Sequence, residues 1–320
     1  MQYTTLGRTG LKVGVAGLGA GGNSRLGMGR GLPEDACVAL VREAFDLGVN
    51  FIDTAEAYGT EEIVGKAVAQ VPRDSVVVST KAGIRRGDRW ATGPEVVESM
   101  EASLKRLAME HVEVFLLHAV PPKAYEHVTN EILPHLLRQK DAGKVRHIGL
   151  TETAPNDPKQ ETIRRAVRDD PWEVVMLAFH MMNQKARRHV FPVTRERGVG
   201  TLLMFVVRNI FSNPDALRTA VRELAAAGKV PADLAERDGP LDFLVHAGGA
   251  DSVTDAAYRF ARHEPGTDIV LFGTGDRGHL RTNIESILKP PLPPADVERL
   301  YALFGELEGV GLDLPAHVAT

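Results

Sequence analysis

Apolar residues along the chain gather in short runs, and the segments between those runs repeat their apolar positions at helical spacing. The runs are Val15–Leu18, Val49–Asp53, Val76–Ser79 leading into Lys81, Val112–Leu117 ending at His118, Arg146–Leu150, Val174–Ala178, Thr201–Val207 and Ile269–Phe272. They are continuously rather than alternately apolar, which is the pattern of parallel strands covered on both faces. Between them, residues 33–47 place Cys37, Leu40, Val41, Ala44 and Phe45 on one helical stripe, with Pro33 at the start and Gly48 just past the end. Residues 94–108 do the same with Val97, Met100, Leu104 and Leu107. The pattern predicts further helices over 61–69, 125–142, 158–168, 187–197, 252–262, 276–288 and 294–308. Ahead of the first run, Tyr3–Leu6 and Leu11–Val13 flank Gly7-Arg8-Thr9-Gly10 and predict a small hairpin.

Eight strands alternating with helices predict a parallel sheet. In 320 residues with no Pro/Gly/Ser linker, eight units favour a closed (β/α)8 barrel over an open doubly wound sheet, and a single domain over residues 1–320. The stretch 208–250 is longer than a plain crossover and predicts an insertion over one rim. The composition fits such a core: 43% of residues are hydrophobic and 25% charged. The net charge of -4 is spread along the chain without a basic block, which argues against nucleic acid and against an anionic membrane surface as partners. No apolar run reaches the ~18 residues of a membrane helix. Cys37, the one cysteine, falls on the stripe of 33–47 and is expected in the core. The lack of a signal-peptide pattern and of any possible disulfide points to the cytoplasm. No H-E-x-x-H or clustered His/Asp pattern appears, so no metal is expected.

Gly17, Gly19 and Gly22 match G-x-G-x-x-G, a dinucleotide-binding signature. That motif requires a turn leading straight into a helix, with an acidic residue closing a strand about 20 positions on. Here residues 23–32 hold three further glycines and no helical pattern, and Glu34 and Asp35 open a helix instead. The motif is read as a loop after the first barrel strand.

A sharper constellation lies at the strand ends. Asp53 ends the second strand with Tyr58 just beyond, Lys81 ends the third, and His118 ends the fourth. Each has an ordinary structural alternative: a turn cap, a loop plug, a snorkelling lysine, a structural histidine. In a (β/α)8 barrel all strand ends share one face, where active sites form, so the four are expected to converge. Together they suit carbonyl reduction. Tyr58 can protonate a developing alkoxide, a nearby Lys81 ammonium lowers the phenol's pKa, Asp53 compensates that buried charge, and His118 positions the carbonyl oxygen.

The stretch from Gly48 through Asp53-Thr54-Ala55-Glu56-Ala57-Tyr58-Gly59 to Glu62 strongly resembles the aldo-keto reductase superfamily. So do Ser103–Leu107 with the following Val114–His118, and Gly143–Gly149, in order and at suitable spacing over nearly the whole chain. The resemblance implies a TIM-type barrel with NADPH extended across the C-terminal rim. It also implies a catalytic tetrad at Asp53, Tyr58, Lys81 and His118, with hydride transfer from the nicotinamide and proton donation from the tyrosine. Gly273-Thr274-Gly275-Asp276-Arg277-Gly278-His279-Leu280-Arg281-Thr282-Asn283 resembles the family's adenosine-phosphate segment, with Asn283 at its adenine-contacting position.

Several positions depart from the family pattern. Gly273 and His279 stand where many relatives carry the Lys and Arg that grip the 2′-phosphate, Arg277 and Arg281 are the substitutes at hand, and Asp276 opposes a phosphate. NADPH is therefore the expected cofactor and NADH the alternative. Thr151-Glu152 replaces Ser-Asn at the nicotinamide, Met176 a Gln, and Phe205 the ring-stacking residue; Arg208 is positioned for the pyrophosphate. Gly19 and Ala20 complete the expected cofactor contacts. Glu152 is expected either to stabilise the pyridinium of the oxidised cofactor or to face solvent. Trp90 is the candidate wall of a substrate pocket that Tyr58 and His118 also line, with His180 and Met181 opposite and the tail from Gly309 to Thr320 as a cover.

The leading function is reversible reduction of an aldehyde or ketone by a monomer or weak homo-oligomer. The alternatives are a sugar or polyol dehydrogenase working mainly in oxidation, a cofactor-binding regulatory protein resembling potassium-channel β-subunits, and a barrel binding a phosphorylated metabolite without redox chemistry.

Overall fold

A computed structural model of the chain describes residues 1–312. Eight parallel strands close into a barrel: β1 (Ala16–Gly19), β2 (Phe51–Asp53), β3 (Val77–Gly83), β4 (Val112–His118), β5 (Val145–Thr151), β6 (Val174–Ala178), β7 (Gly200–Met204) and β8 (Ile269–Phe272). They follow one another around the barrel in chain order, and β8 pairs with β1 to close it. This is the expected fold, with every strand within a few residues of its expected place.

The barrel interior is filled by Phe51, Val77, Val114, Leu116, Val174, Met176, Leu202 and Ile269, all buried. The N-terminal hairpin, Tyr3–Thr5 against Lys12–Gly14, closes its lower end by adding Leu6 and Val13 to that cluster. The fit there is tight: a side chain at Gly7 would lie 2.3 Å from the Gly200 amide. A larger apolar layer lies between the barrel's outer surface and the helices, with Cys37 and Trp172 fully buried in it.

The helices ring the barrel: α1 (Glu34–Asp46), α2 (Glu61–Val68), α3 (Gly93–Leu107), α4 (Leu133–Asp141), α5 (Glu161–Ala166), α6 (Phe191–Arg197), α7 (Pro214–Ala226), α8 (Val253–Arg262), α9 (Arg277–Leu288) and α10 (Pro294–Phe304). A complete capping box at Thr92 and Glu95 starts α3. Four helices are shorter than expected: α10 ends at Phe304, where Gly305 follows, rather than at 308, and the other three each have a local reason. The segment 125–142 widens to a π turn over Val128–Ile132, just before Pro134 at the start of α4. The segment 187–197 is divided between Ala186–His189 and α6, where Pro192 sits in the first turn. In 158–168, Asp157 instead accepts from the amides of Glu161 and Thr162, so α5 begins only at Glu161.

Two further differences concern strand ends. β3 runs two residues past Lys81, and β7 stops at Met204 rather than Val207. The glycine motif at 17–22 leads, as expected, into an irregular loop rather than a helix. Within it Arg25 and Leu26 adopt positive φ, and α1 starts only at Glu34. The 208–250 stretch carries Asn209–Ser212, α7 and Ala232–Ala235, and its first residues, Arg208 and Ser212, reach the groove at the barrel mouth.

Candidate active site

The C-terminal ends of β2, β3 and β4 bring the four expected residues together. The Asp53 carboxylate, at the last position of β2, accepts from Lys81 Nζ at 2.6 Å. Lys81 is fully buried and also donates to the Thr54 carbonyl at 2.7 Å and the Tyr58 hydroxyl at 3.4 Å. Its ammonium stands 4.7 Å from the centre of the Tyr58 ring. The Tyr58 hydroxyl faces His118 Nε2 at 3.5 Å, the two rings meeting edge to face. Tyr58 lies on a single 3-10 turn, Glu56–Tyr58, and its ring packs against Gly21, where any side chain would come within 2.6 Å of it. In the sequence Gly21 is one of the unspecified positions within the 17–22 glycine motif; its value lies in what it leaves empty.

Burial dominates the electrostatics. It favours a neutral amine at Lys81, but Asp53 and Tyr58 outweigh it and hold the ammonium above the usual lysine range. Burial likewise pushes the Asp53 carboxyl up against the pull of Lys81, and the 2.6 Å contact is that of an ion pair. At Tyr58 burial is the largest influence and Lys81 only opposes it, so the phenol lies above its ordinary pKa. Lys81 does pull that pKa down, as expected, but burial outweighs it and sets the net direction. The hydroxyl is protonated at neutral pH, as a proton donor must be. His118 is pushed down to about 3 by burial and by the Lys81 charge, so its imidazole is neutral.

From this cluster a groove of about 640 Å³ runs along the rim. Asp53, Tyr58, Gly19, Met176, Met204 and Phe205 line its inner end, and Gly273, Thr274, His279, Thr282 and Asn283 its outer end, with Arg208 between. Phe205 sits at φ 64°, a left-handed conformation that a phenylalanine rarely adopts. The Arg208 guanidinium lies 4.3 Å from its ring centre. Asn23, Ser24, Thr254 and Tyr258 also line the groove. Asn23 and Ser24 come from the irregular β1 loop, which no periodicity marks, and Thr254 and Tyr258 share one face of α8, which the sequence showed as a helix without showing that this face meets the groove.

A model of the aldo/keto reductase family matches residues 16–304. The chain belongs to the aldo/keto reductase family. Among curated members it is 33% identical over 208 residues to L-galactose dehydrogenase of Arabidopsis thaliana, an alignment covering 63% of this chain and 64% of that one. The chain therefore spans just under two thirds of that relative's length. It is 28% identical over 307 residues to aldo-keto reductase YhdN of Bacillus subtilis (strain 168), covering 88% and 87% of the two chains. The structure is similar to aldo-keto reductase AKR11C1 of Bacillus halodurans (holo form), with a TM-score of 0.73 and 18% identity over 98% of this chain and all of that one. It is also similar to the thermostable aldo-keto reductase Tm1743 in complex with the inhibitor epalrestat, at 0.68 and 21% over 94% and 99%. At those identities the structural likeness speaks for the fold.

The remaining expected positions of this aldo-keto reductase are placed unevenly. Asp276 does not face the groove as a repelling charge: it caps α9 by accepting from the His279 amide at 2.9 Å, and its own amide is held by Thr274 Oγ1. Arg277 and Arg281 both turn to Glu43 on α1, outside the groove. Gly275 is buried against the Gly27 backbone, where a side chain would come within 2.6 Å of Cα. Ala20 is buried, its amide held by the Asp53 carbonyl. Thr151 is buried too, and its hydroxyl accepts from the Ala119 amide.

Glu152 is neither solvent-facing nor a lining residue of the groove. It is 3% exposed, accepts from the Ala178 amide at 2.6 Å, and is pushed up to about 8, mainly by burial. Trp90 lies outside the groove on a two-strand ribbon, Arg85–Arg86 against Arg89–Trp90, and packs partly against the core. His180 and Met181 are fully buried, with His180 edge-on to Phe211. Of the tail, Leu312 packs with Ala154, Ala178, Met204 and Phe205 at the barrel mouth; positions 313–320 lie outside the described residues. Among the described residues no group of His, Cys, Asp and Glu is arranged to hold a metal ion, and no helix is long and apolar enough to cross a membrane.

Proposed function

We propose that the chain reversibly reduces an aldehyde or ketone to an alcohol with a nicotinamide cofactor, Tyr58 acting as proton donor. The observation that carries this reading is the Tyr58 hydroxyl, held 3.4 Å from a buried ammonium and 3.5 Å from a neutral imidazole at the inner end of the groove. The groove suits the cofactor. Gly19 and Gly273 leave its floor bare, Phe205 offers a ring face at the inner end, and Thr274, Thr282 and Asn283 supply polar groups at the outer end. NADPH is the first choice and NADH the alternative. His279 already lines the outer end, whereas Arg277 and Arg281 must leave Glu43 to reach a 2′-phosphate.

Bound there, the reduced nicotinamide supplies hydride to a carbonyl carbon. The chain's own groups manage the oxygen. His118, with its proton on Nε2, donates to the carbonyl oxygen and holds it beside Tyr58. The Tyr58 hydroxyl delivers its proton as charge develops on that oxygen. Lys81 stabilises the phenolate left behind, and Asp53 keeps Lys81 charged and directed. In oxidation the same groups act in reverse, beginning from the phenolate.

The test is fluorescence titration with NADPH and NADH, followed by turnover of a small aldehyde panel by wild type and Tyr58→Phe. Cofactor binding retained with turnover reduced by about 10²–10⁴-fold is expected for loss of a general acid. Failure to bind either cofactor, or an undiminished Tyr58→Phe, overturns the proposal. The likeness to a protein named L-galactose dehydrogenase favours a second reading, oxidation of a sugar or polyol. That direction needs the Tyr58 phenolate, and its rate should climb at alkaline pH because burial raises the phenol's pKa.

A further inference from the structure

The rim beside His118 carries two cations with no carboxylate partner among the described residues. β3 and β4 pair so that Gly83 lies opposite His118. Arg85 is two residues beyond Gly83, a reach of at most ~7 Å, and in the ribbon it pairs directly with Trp90. Lys123 comes five residues after His118, in the 3-10 turn Pro122–Ala124 that follows β4. The two side chains meet at one indole: the Arg85 guanidinium stands 5.0 Å from the Trp90 ring centre and Lys123 Nζ 5.7 Å from it. Both are exposed. Among the described residues neither has a carboxylate within the 4.0 Å of an ion pair, although most other basic groups of this rim are engaged. Arg89 is held by both oxygens of Glu95, and Arg86 by Ser99 and backbone carbonyls. The nearby Glu56 carboxylate is turned to the Gly83 amide at 2.7 Å.

Two like charges drawn onto one aromatic ring repel each other, and a bound anion relieves that repulsion. We infer that Arg85, Lys123 and Trp90 form an anion subsite, and that the physiological substrate carries a carboxylate or phosphate a few bonds away from its carbonyl. This rests on the carbonyl-reductase reading and names its substrate class. The carbonyl end is held by Tyr58 and His118, while the anionic end extends beyond the C-terminal ends of β3 and β4, where Arg85 and Lys123 follow. Arg85 offers a planar fork of donors and Lys123 a point charge, and the indole between them holds the two side chains together.

Two measurements test it. The first compares kcat/KM for 4-oxobutanoate with butanal, and for glyceraldehyde 3-phosphate with glyceraldehyde, in wild type and in Arg85→Gln/Lys123→Gln. Two exposed ion pairs, each giving several-fold, predict a preference of roughly tenfold for the anionic partner of at least one pair. That preference should shrink with added salt and disappear in the double variant. Whichever pair shows it identifies the carboxylate or the phosphate. Turnover of the neutral aldehydes with no anionic preference overturns the inference while leaving the reductase reading intact.

The second measurement needs neither cofactor nor turnover. Of the chain's 2 tryptophans, Trp172 is fully buried beside Tyr125, so Trp90 is positioned to report anions by its fluorescence. Titration of the protein with succinate and with inorganic phosphate should give a saturable change that the double variant lacks. No saturable change with either anion overturns the subsite even if the enzyme proves inactive on every aldehyde tried.

Discussion

Replacing Lys81 by methionine tests the centre of the site through stability rather than activity. Methionine keeps an unbranched apolar stem of similar reach, so the packing around β3 changes little. What goes is the ammonium, with its contacts to Asp53, the Thr54 carbonyl and Tyr58. Asp53, 3% exposed, is left without its cation. Removing one partner of a buried ion pair costs about 3–5 kcal/mol. The variant can limit that cost by protonating Asp53. Against an unfolded-state pKa of ~3.9, this costs ~1.4 kcal/mol per pH unit, or about 4 kcal/mol at pH 7 and 1.5 kcal/mol at pH 5.

The sign follows from the direction of the shift. Asp53 in the variant has a folded-state pKa above its unfolded one, so its penalty is absent below the unfolded value and grows as pH rises toward the folded value. Urea unfolding of both proteins at pH 5, 6 and 7 should therefore show a stability gap that widens with pH, by at most about 3 kcal/mol over this range, because the raised wild-type Asp53 already carries part of that cost. A gap below about 1 kcal/mol that does not change with pH would refute the reasoning, because it would mean that Asp53 is not held as a buried charge.

Gly21→Ala places a methyl within 2.6 Å of the Tyr58 ring. It should lower kcat by tenfold or more through a displaced hydroxyl, as sub-ångström errors in positioning do, while thermal unfolding moves by only a few degrees. His118, pushed down to about 3, should contribute no ionisation to the pH profile of carbonyl reduction between pH 5 and 8; a step near 6.5 that vanishes in His118→Gln would contradict the neutral imidazole. Glu152, pushed up to about 8, loses stability as pH rises from the ordinary carboxyl range toward 8. Glu152→Gln should accordingly gain on wild type by up to ~1.4 kcal/mol per unit across that window, and parallel pH–stability curves would show that the carboxyl is not buried as described.

The sequence was most informative where periodicity and chain order carry the information. Continuous apolar runs alternating with amphipathic segments specified eight parallel strands with helical crossovers, and eight such units in one unbroken chain of 320 residues favoured a closed barrel. Because strand ends of such a barrel share one face, the positions of Asp53, Tyr58, Lys81 and His118 already implied one site. Tertiary structure decided what depends on direction and surroundings. Whether the Tyr58 pKa ends below or above its ordinary value is a contest between the Lys81 charge and desolvation, and only the depth of burial shows that desolvation prevails. Arg277 and Arg281 sit on the right segment for a phosphate, yet a carboxylate from α1, some 240 residues earlier in the chain, takes both. Glu152 reads as an exposed or cofactor-facing charge until the Ala178 amide is seen against it. Arg85 and Lys123, 38 positions apart, become neighbours only because β3 and β4 pair in the register that sets Gly83 beside His118. A one-dimensional pattern shows which residues lie on a face; the distances that set pKa values and ion pairs arise from contacts between segments remote in the chain, and those exist only in the folded molecule.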